Sequence, residues 1–152
     1  MAQTQAETKT EPRTVQMDAQ SETRAKTETG AKPVTKLRVR NLTRDRELAD
    51  RADIADTSAK RRTGLLKHTG LERGEGLWIV PCEGVHTFAM KFTIDVVFLD
   101  KKRKIRKIRP NMVKSRISLS LLAHSVLELP AGTLDQTGTQ KGDQLEFEKY
   151  EA

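Results

Sequence analysis

"FTIDVVFLD", residues Phe92 to Asp100, is the stretch that decides the fold. Read at the two-residue period of a β-strand, it sets Phe92, Ile94, Val96 and Phe98 on one face and Thr93, Asp95, Val97 and Leu99 on the other. Both faces are largely apolar, so both must be covered, and the segment reads as a central strand packed on two sides. Asp95 then stands among apolar neighbours, where a carboxylate needs hydrogen-bond partners or a wet cleft.

Working outward, the same period recurs. Asp100 to Arg103 forms a polar connection, and KIRKIRP returns as a strand with Pro110 as its stop. Asn111 to Ala123 is less regular. HSVLELPAG is a strand ended by Pro130 and Gly132, with Glu128 opposite in face to Leu127 and Leu129, and KGDQLEFEKY starts a last strand from a Gly-Asp turn. Upstream, LRVRNL (Leu37 to Leu42) and GLWIVP (Gly76 to Pro81) are strands, while Arg46 to Asp56 fits a strand or a helical turn. Asp56, Thr57 and Ser58 are a helix-start signal, so a helix of about ten residues is expected to end near Gly70. Gly64 would sit inside it and allow close approach to a sheet. Six or seven strands, one clear helix and no regular βαβ alternation predict a mostly β (α+β) fold, a small antiparallel β-barrel or sandwich with one packed helix.

Residues 1–36 contain eight Thr and no Leu, Ile, Phe, Tyr or Trp, too little apolar surface to offset ordering entropy. They are expected to be a disordered polar tail, followed by a single β-rich domain over 37–150. No run approaches the roughly 20 apolar residues of a membrane span, and no apolar secretory h-region is visible. Cys82 is the only cysteine, which excludes an intramolecular disulfide. A soluble cytoplasmic protein is the expectation. The net charge of +7 is concentrated rather than spread, with nine basic and no acidic residues between Lys101 and Arg116. Lys101, Lys102, Arg103, Lys104, Arg106, Lys107 and Arg109 form the body of this stripe, which would attract an anion or nucleic acid or merely protect a solvated edge strand. Aromatic stacking residues, expected of a nucleic-acid site, are missing from it.

"VPCEGVHTFAM", residues Val80 to Met90, raises a chemical alternative. Cys82 as nucleophile, His86 as base and Asp95 as orienting acid would make an enzyme site. The same three residues are too few for a zinc site, and His68 and His124 stand far off in sequence, so neither metal nor cofactor is expected. P-loop, CxxC and HExxH patterns are absent from the sequence. The preferred reading is a ligand-binding or accessory module without catalysis, with Arg61, His86, Lys91, Asp95 and Glu128 lining a pocket for a small-molecule or anionic partner. Phe88, Met90, Phe92 and Ile94 would fill the core at strand spacing, with Asp95 paired to Arg61 or Lys91 or accepting from backbone N–H groups of a turn.

The motifs in order resemble the family called domain of unknown function 192. Arg61 with Gly64-Leu65-Leu66 is similar to its Arg-x-x-Gly-Leu-Met element, and Gly76-Leu77-Trp78-Ile79 to its Gly-Met-Leu-Phe strand. HTFAMKFTIDVVFLD resembles its most distinctive stretch, VLELPAG at Val126 to Gly132 matches closely, and Gly142-Asp143 supplies the closing turn. Ala89 and Phe92 depart from it, standing where many members have tryptophan and asparagine. The resemblance implies a small barrel-like β domain with a packed helix and implies no activity.

Overall fold

The structure is a computed structural model and describes residues 30–152. Most of the expected tail lies outside the described residues. Nine strands and two short helices follow in the order β1 (Thr35–Asn41), β2 (Arg46–Ala55), α1 (Ser58–Thr63), β3 (Glu75–Ile79), β4 (Gly84–His86), β5 (Ile94–Leu99), β6 (Ile105–Met112), β7 (Ile117–Leu119), β8 (Ser125–Pro130), α2 (Thr133–Thr137) and β9 (Leu145–Glu151). Seven strands make one sheet in the order β6-β5-β8-β3-β2-β1-β9, and β4 pairs with β7 in a separate ribbon.

The mostly β expectation holds, with two corrections to its form. Neighbours are antiparallel except β2 and β3, which run parallel and are joined through α1, so one βαβ crossover is present. Nor is the sheet closed into a barrel. It curls until its edge strands meet at one corner, where Ile105 N donates to Asp143 O (2.9 Å), Gly142 N to Ile105 O (2.8 Å) and Leu145 N to Arg103 O (3.0 Å).

The two-faced reading of β5 is borne out, since all six of its residues are buried. Val97 and Leu99 join Leu37, Val39, Trp78, Leu127 and Leu145 inside the curl, whereas Ile94, Val96 and Phe98 join Leu65, Ile79, Met90 and Val126 on the outer face. The strand begins only at Ile94. Ala89 takes φ +61° and Met90 N donates back to Thr87 O (3.2 Å), so Thr87 to Met90 is a turn rather than a strand, and Phe88 points out to solvent. Pro110 does not end β6. It sits within that edge strand, where a missing N–H costs no ladder bond.

The helix is shorter than expected, and no residue of it is buried. Thr57 caps its start by accepting from Lys60 N (3.3 Å), and Gly64, at φ +47°, ends it. Gly64 is therefore needed for its left-handed backbone, not for packing: a Cβ there would meet nothing closer than Arg61 O at 3.8 Å. Close approach occurs instead at Gly76, where a Cβ would stand 3.0 Å from Glu128 O of the adjoining strand.

Candidate functional site

β8 is apolar but for Ser125 at its start and Glu128. Leu127 and Leu129 point into the curl, so the alternation sends Val126 and Glu128 to the outer face. There the crossover helix, the β3–β4 connection and β4 stand over the sheet and leave a cavity of about 530 Å³. Its polar lining includes Arg61, Cys82, His86 and Glu128, and its apolar walls include Leu65, Ile79, Val85 and Met90.

Glu128 is the anomalous residue of this cavity. Only 5% of it is exposed, and its Oε2 has no hydrogen-bond partner. Among the described residues it has no ion pair, although Arg61 lines the same cavity. Arg61 is instead held by oxygens of its own neighbourhood: Nη1 donates to Asp56 O (2.8 Å) and Val80 O (3.4 Å), and Nη2 to Ser58 Oγ (3.2 Å). Burial without a compensating charge pushes the Glu128 carboxyl up to about 7, because desolvation penalises its ionised form. A buried polar group without a partner is uncommon enough in folded proteins to require a reason.

Of the five residues expected to share a pocket, Arg61, His86 and Glu128 do so, and Lys91 and Asp95 do not. Lys91 is exposed in the segment preceding β5. Asp95 lies across the sheet from the cavity, fully buried, where Oδ1 accepts from Asn111 N (2.8 Å) and Oδ2 from Leu134 N (2.8 Å). Of the roles considered for it, acceptance from backbone N–H groups is the one found. Its distance across the sheet removes the orienting acid from the Cys82, His86 and Asp95 constellation.

Cys82 does line the cavity, but its Sγ donates to Gly84 O (3.0 Å), and burial pushes its thiol up, with the nearby Glu128 adding to the effect. Thiolate is the reactive form. Alkylation by N-ethylmaleimide at neutral pH is therefore expected to run slower than for an unhindered cysteine peptide; a rate at or above the peptide's would contradict a half-buried thiol held by Gly84 O. No group of three or more metal-ligating side chains occurs among the described residues.

The basic stripe lies on the edge strand β6 and the turn before it. Several of its members are engaged within the domain. Arg103 lies over the rings of Trp78 (5.1 Å) and Phe147 (4.9 Å), Arg106 Nε pairs with Asp100 (2.9 Å), and Lys107 Nζ donates to Leu119 O (2.7 Å). The cavity's apolar walls, Leu65 and Val85 above all, carry no sequence signal beyond hydrophobicity, because the end of α1 at Gly64 places Leu65 and the pairing of β4 with β7 places Val85.

A small β domain built on one curled, mixed sheet, with a side cavity roofed by its crossover helix, is the class that these features define. The chain belongs to the DUF192 family, described as an uncharacterised ACR, whose model matches residues 39–147. Two solved structures share the fold. A protein of unknown function from Novosphingobium aromaticivorans is 23% identical with a TM-score of 0.64, over 73% of this chain and 83% of its own. A putative transcription regulator from Sinorhizobium meliloti is 23% identical with a TM-score of 0.66, over 77% of this chain and 96% of its own. No curated protein matches the sequence.

Proposed function

We propose that this domain binds a small, partly apolar molecule through a cationic or hydrogen-bond-donating group seated on Glu128. The observation that carries the reading is the Glu128 carboxyl itself, buried and with one oxygen unpartnered at the wall of a cavity large enough for a small ligand. A donor placed there would relieve the desolvation, and the aliphatic walls would take the ligand's hydrocarbon. Arg61 and His86 line the same cavity, and the N–H groups of Arg61 not spent on Asp56 O, Val80 O and Ser58 Oγ could serve an acceptor at another point of the same molecule. An enzyme reading has less support, since Cys82 lacks an orienting acid and its thiol is disfavoured from ionising. A nucleic-acid reading of the stripe is weakened by the internal contacts of Arg103, Arg106 and Lys107.

Butylammonium chloride and n-butanol are suitable probes, observed by amide shifts in the NMR spectrum at pH 8. Butylammonium is expected to move the Leu65, Ile79 and Glu128 amides at about 10 mM and butanol to do so more weakly, as fits fragments of this size. Glu128→Gln should erase the preference for the cation, and Thr63→Trp, which fills the cavity, should abolish both responses. Absence of shifts at these amides would reject the reading.

A further inference from the structure

We propose that the segment from Val113 to Leu122 docks this domain on an anionic membrane surface. Nine large apolar residues are exposed among the described residues, and five of them, Val113, Ile117, Leu119, Leu121 and Leu122, fall within this one segment. Leu121 is 86% and Leu122 72% exposed. Phe88 belongs to the same surface, because Thr87 beside it is the anchor of the segment. A soluble domain rarely gathers so much exposed hydrocarbon in one place without a partner for it.

The segment is held in that shape. Buried Thr87 donates from Oγ1 to Val113 O (2.6 Å) and accepts at the same atom from Arg116 N (2.9 Å), while its own N–H donates to Arg116 O (2.8 Å). Ser120 N donates to Glu83 O (2.8 Å), and Lys107 Nζ to Leu119 O (2.7 Å). Ala123, buried beneath, ties the segment to the outer core. The leucines are thus presented outward by a pinned backbone rather than left out of a loose one.

Charge selects the occupant. From Lys101 to Leu127 the chain carries nine basic residues and no acidic one, and of these Arg103, Arg106 and Lys107 are engaged within the domain. Lys114 and Arg116 lie within the segment, and Arg109 lies opposite Val96, on the same outer face of the sheet. Glu83 is the acidic residue whose backbone touches the segment. Aliphatic side chains interleaved with Lys114 and Arg116, with Arg109 on the same face, fit an interface of hydrocarbon and lipid phosphate, where apolar insertion and attraction to anionic headgroups act together. A second copy of the chain fits poorly, since a two-fold contact would set like charges face to face. Nucleic acid fits poorly as well, because leucine and isoleucine offer no stacking plane and Phe88 already stacks with His86 at 5.4 Å. Docking, rather than spanning, is meant: no helix among the described residues is long and apolar enough to cross a membrane.

Co-sedimentation of the full chain with sucrose-loaded vesicles tests this. Vesicles of phosphatidylcholine with roughly a quarter phosphatidylglycerol should retain the protein at about 0.1 M salt, and pure phosphatidylcholine should not. Leu121→Asp with Leu122→Asp should lower partitioning by about tenfold or more, at an unchanged melting temperature because both side chains are exposed. Lys114→Ala with Arg116→Ala should lower it several-fold and flatten its salt dependence. The proposal is overturned if the anionic vesicles retain no protein, if the leucine variant binds as the parent does, or if that variant's effect is instead to dissolve a dimer seen by sedimentation equilibrium. Capture by an acidic polypeptide such as polyglutamate, with no retention on the vesicles, overturns it as well.

Discussion

Glu128→Gln is expected to leave the protein no less stable at pH 5 and to make it more stable than the parent at pH 8 by about 2–3 kcal/mol. Burial raises the folded-state carboxyl from 4.5 to about 7. The folded chain therefore holds this proton more tightly than the unfolded chain does. Below about pH 4.5 both states are protonated and the residue is neutral in the balance. Between 4.5 and 7 the unfolded state ionises freely while the folded state resists, so stability falls as pH rises, by about 3 kcal/mol in all, and the loss is complete above 7. Glutamine keeps the shape and cannot ionise. Urea denaturation midpoints measured from pH 5 to pH 8 should slope downward for the parent and stay level for the variant; a level parent profile would show that the carboxyl is solvated or paired. Asp100 and Asp143 do not confuse the test, because hydrogen bonds hold both carboxyls below their ordinary value. Their contributions are present above that value and are lost only as pH falls through the lowered one, well beneath the Glu128 window. A cationic ligand in the cavity would favour the ionised form and reduce the slope, which joins the stability measurement to the proposed binding.

Much of this architecture can be read from side-chain period, and its failures have local causes. The strands β1, β3, β8 and β9 follow their alternation, and the opposition of Glu128 to Leu127 and Leu129 follows from parity alone. Arg46 to Asp56 is ambiguous in sequence because β2 carries irregularities in its pairing with β1, between Leu37 and Val39 and again before Arg40. An extra residue at such a point puts adjacent Leu48 and Ala49 both in the core and breaks the alternation on which a reading depends. The turn at Ala89 has the same effect on HTFAMKFT: it cancels the strand spacing that would put Phe88 in the core. The five-residue α2 is too short to show a helical period. Lastly, the parallel β2–β3 pair, which seats α1 over Glu128, is a long-range pairing with no local mark in either strand.

Asp95→Ala is expected to destabilise the domain by about 2–4 kcal/mol, a cost out of proportion to the atoms removed. α2 begins at Gly132, which has no side chain to satisfy the free amides of the first turn, and no side-chain cap bond is made there. Asp95 reaches from β5 in place of a cap and accepts from Leu134 N, while its other oxygen accepts from Asn111 N at the end of β6. Removing it leaves two backbone donors without partners, one of them on the buried Leu134 at the base of the inner core. The damage should be local to begin with. Amide exchange is expected to speed first in α2 and around Asn111, while the Leu77, Trp78 and Ile79 amides of β3 stay protected until global unfolding. Asp95→Asn, which keeps one acceptor oxygen but forces an N–H₂ group toward a backbone donor, should fall between Ala and the parent. Equal stability of the alanine variant and the parent would mean that water replaces the carboxylate at this site. A large loss of stability, together with unchanged cavity shifts on butylammonium at a temperature where the variant remains folded, would separate the role of Asp95 from that of Glu128. The strand pair β5 and β8 would then carry two buried carboxylates for different ends, one bound by backbone inside the curl and one open to the cavity outside it.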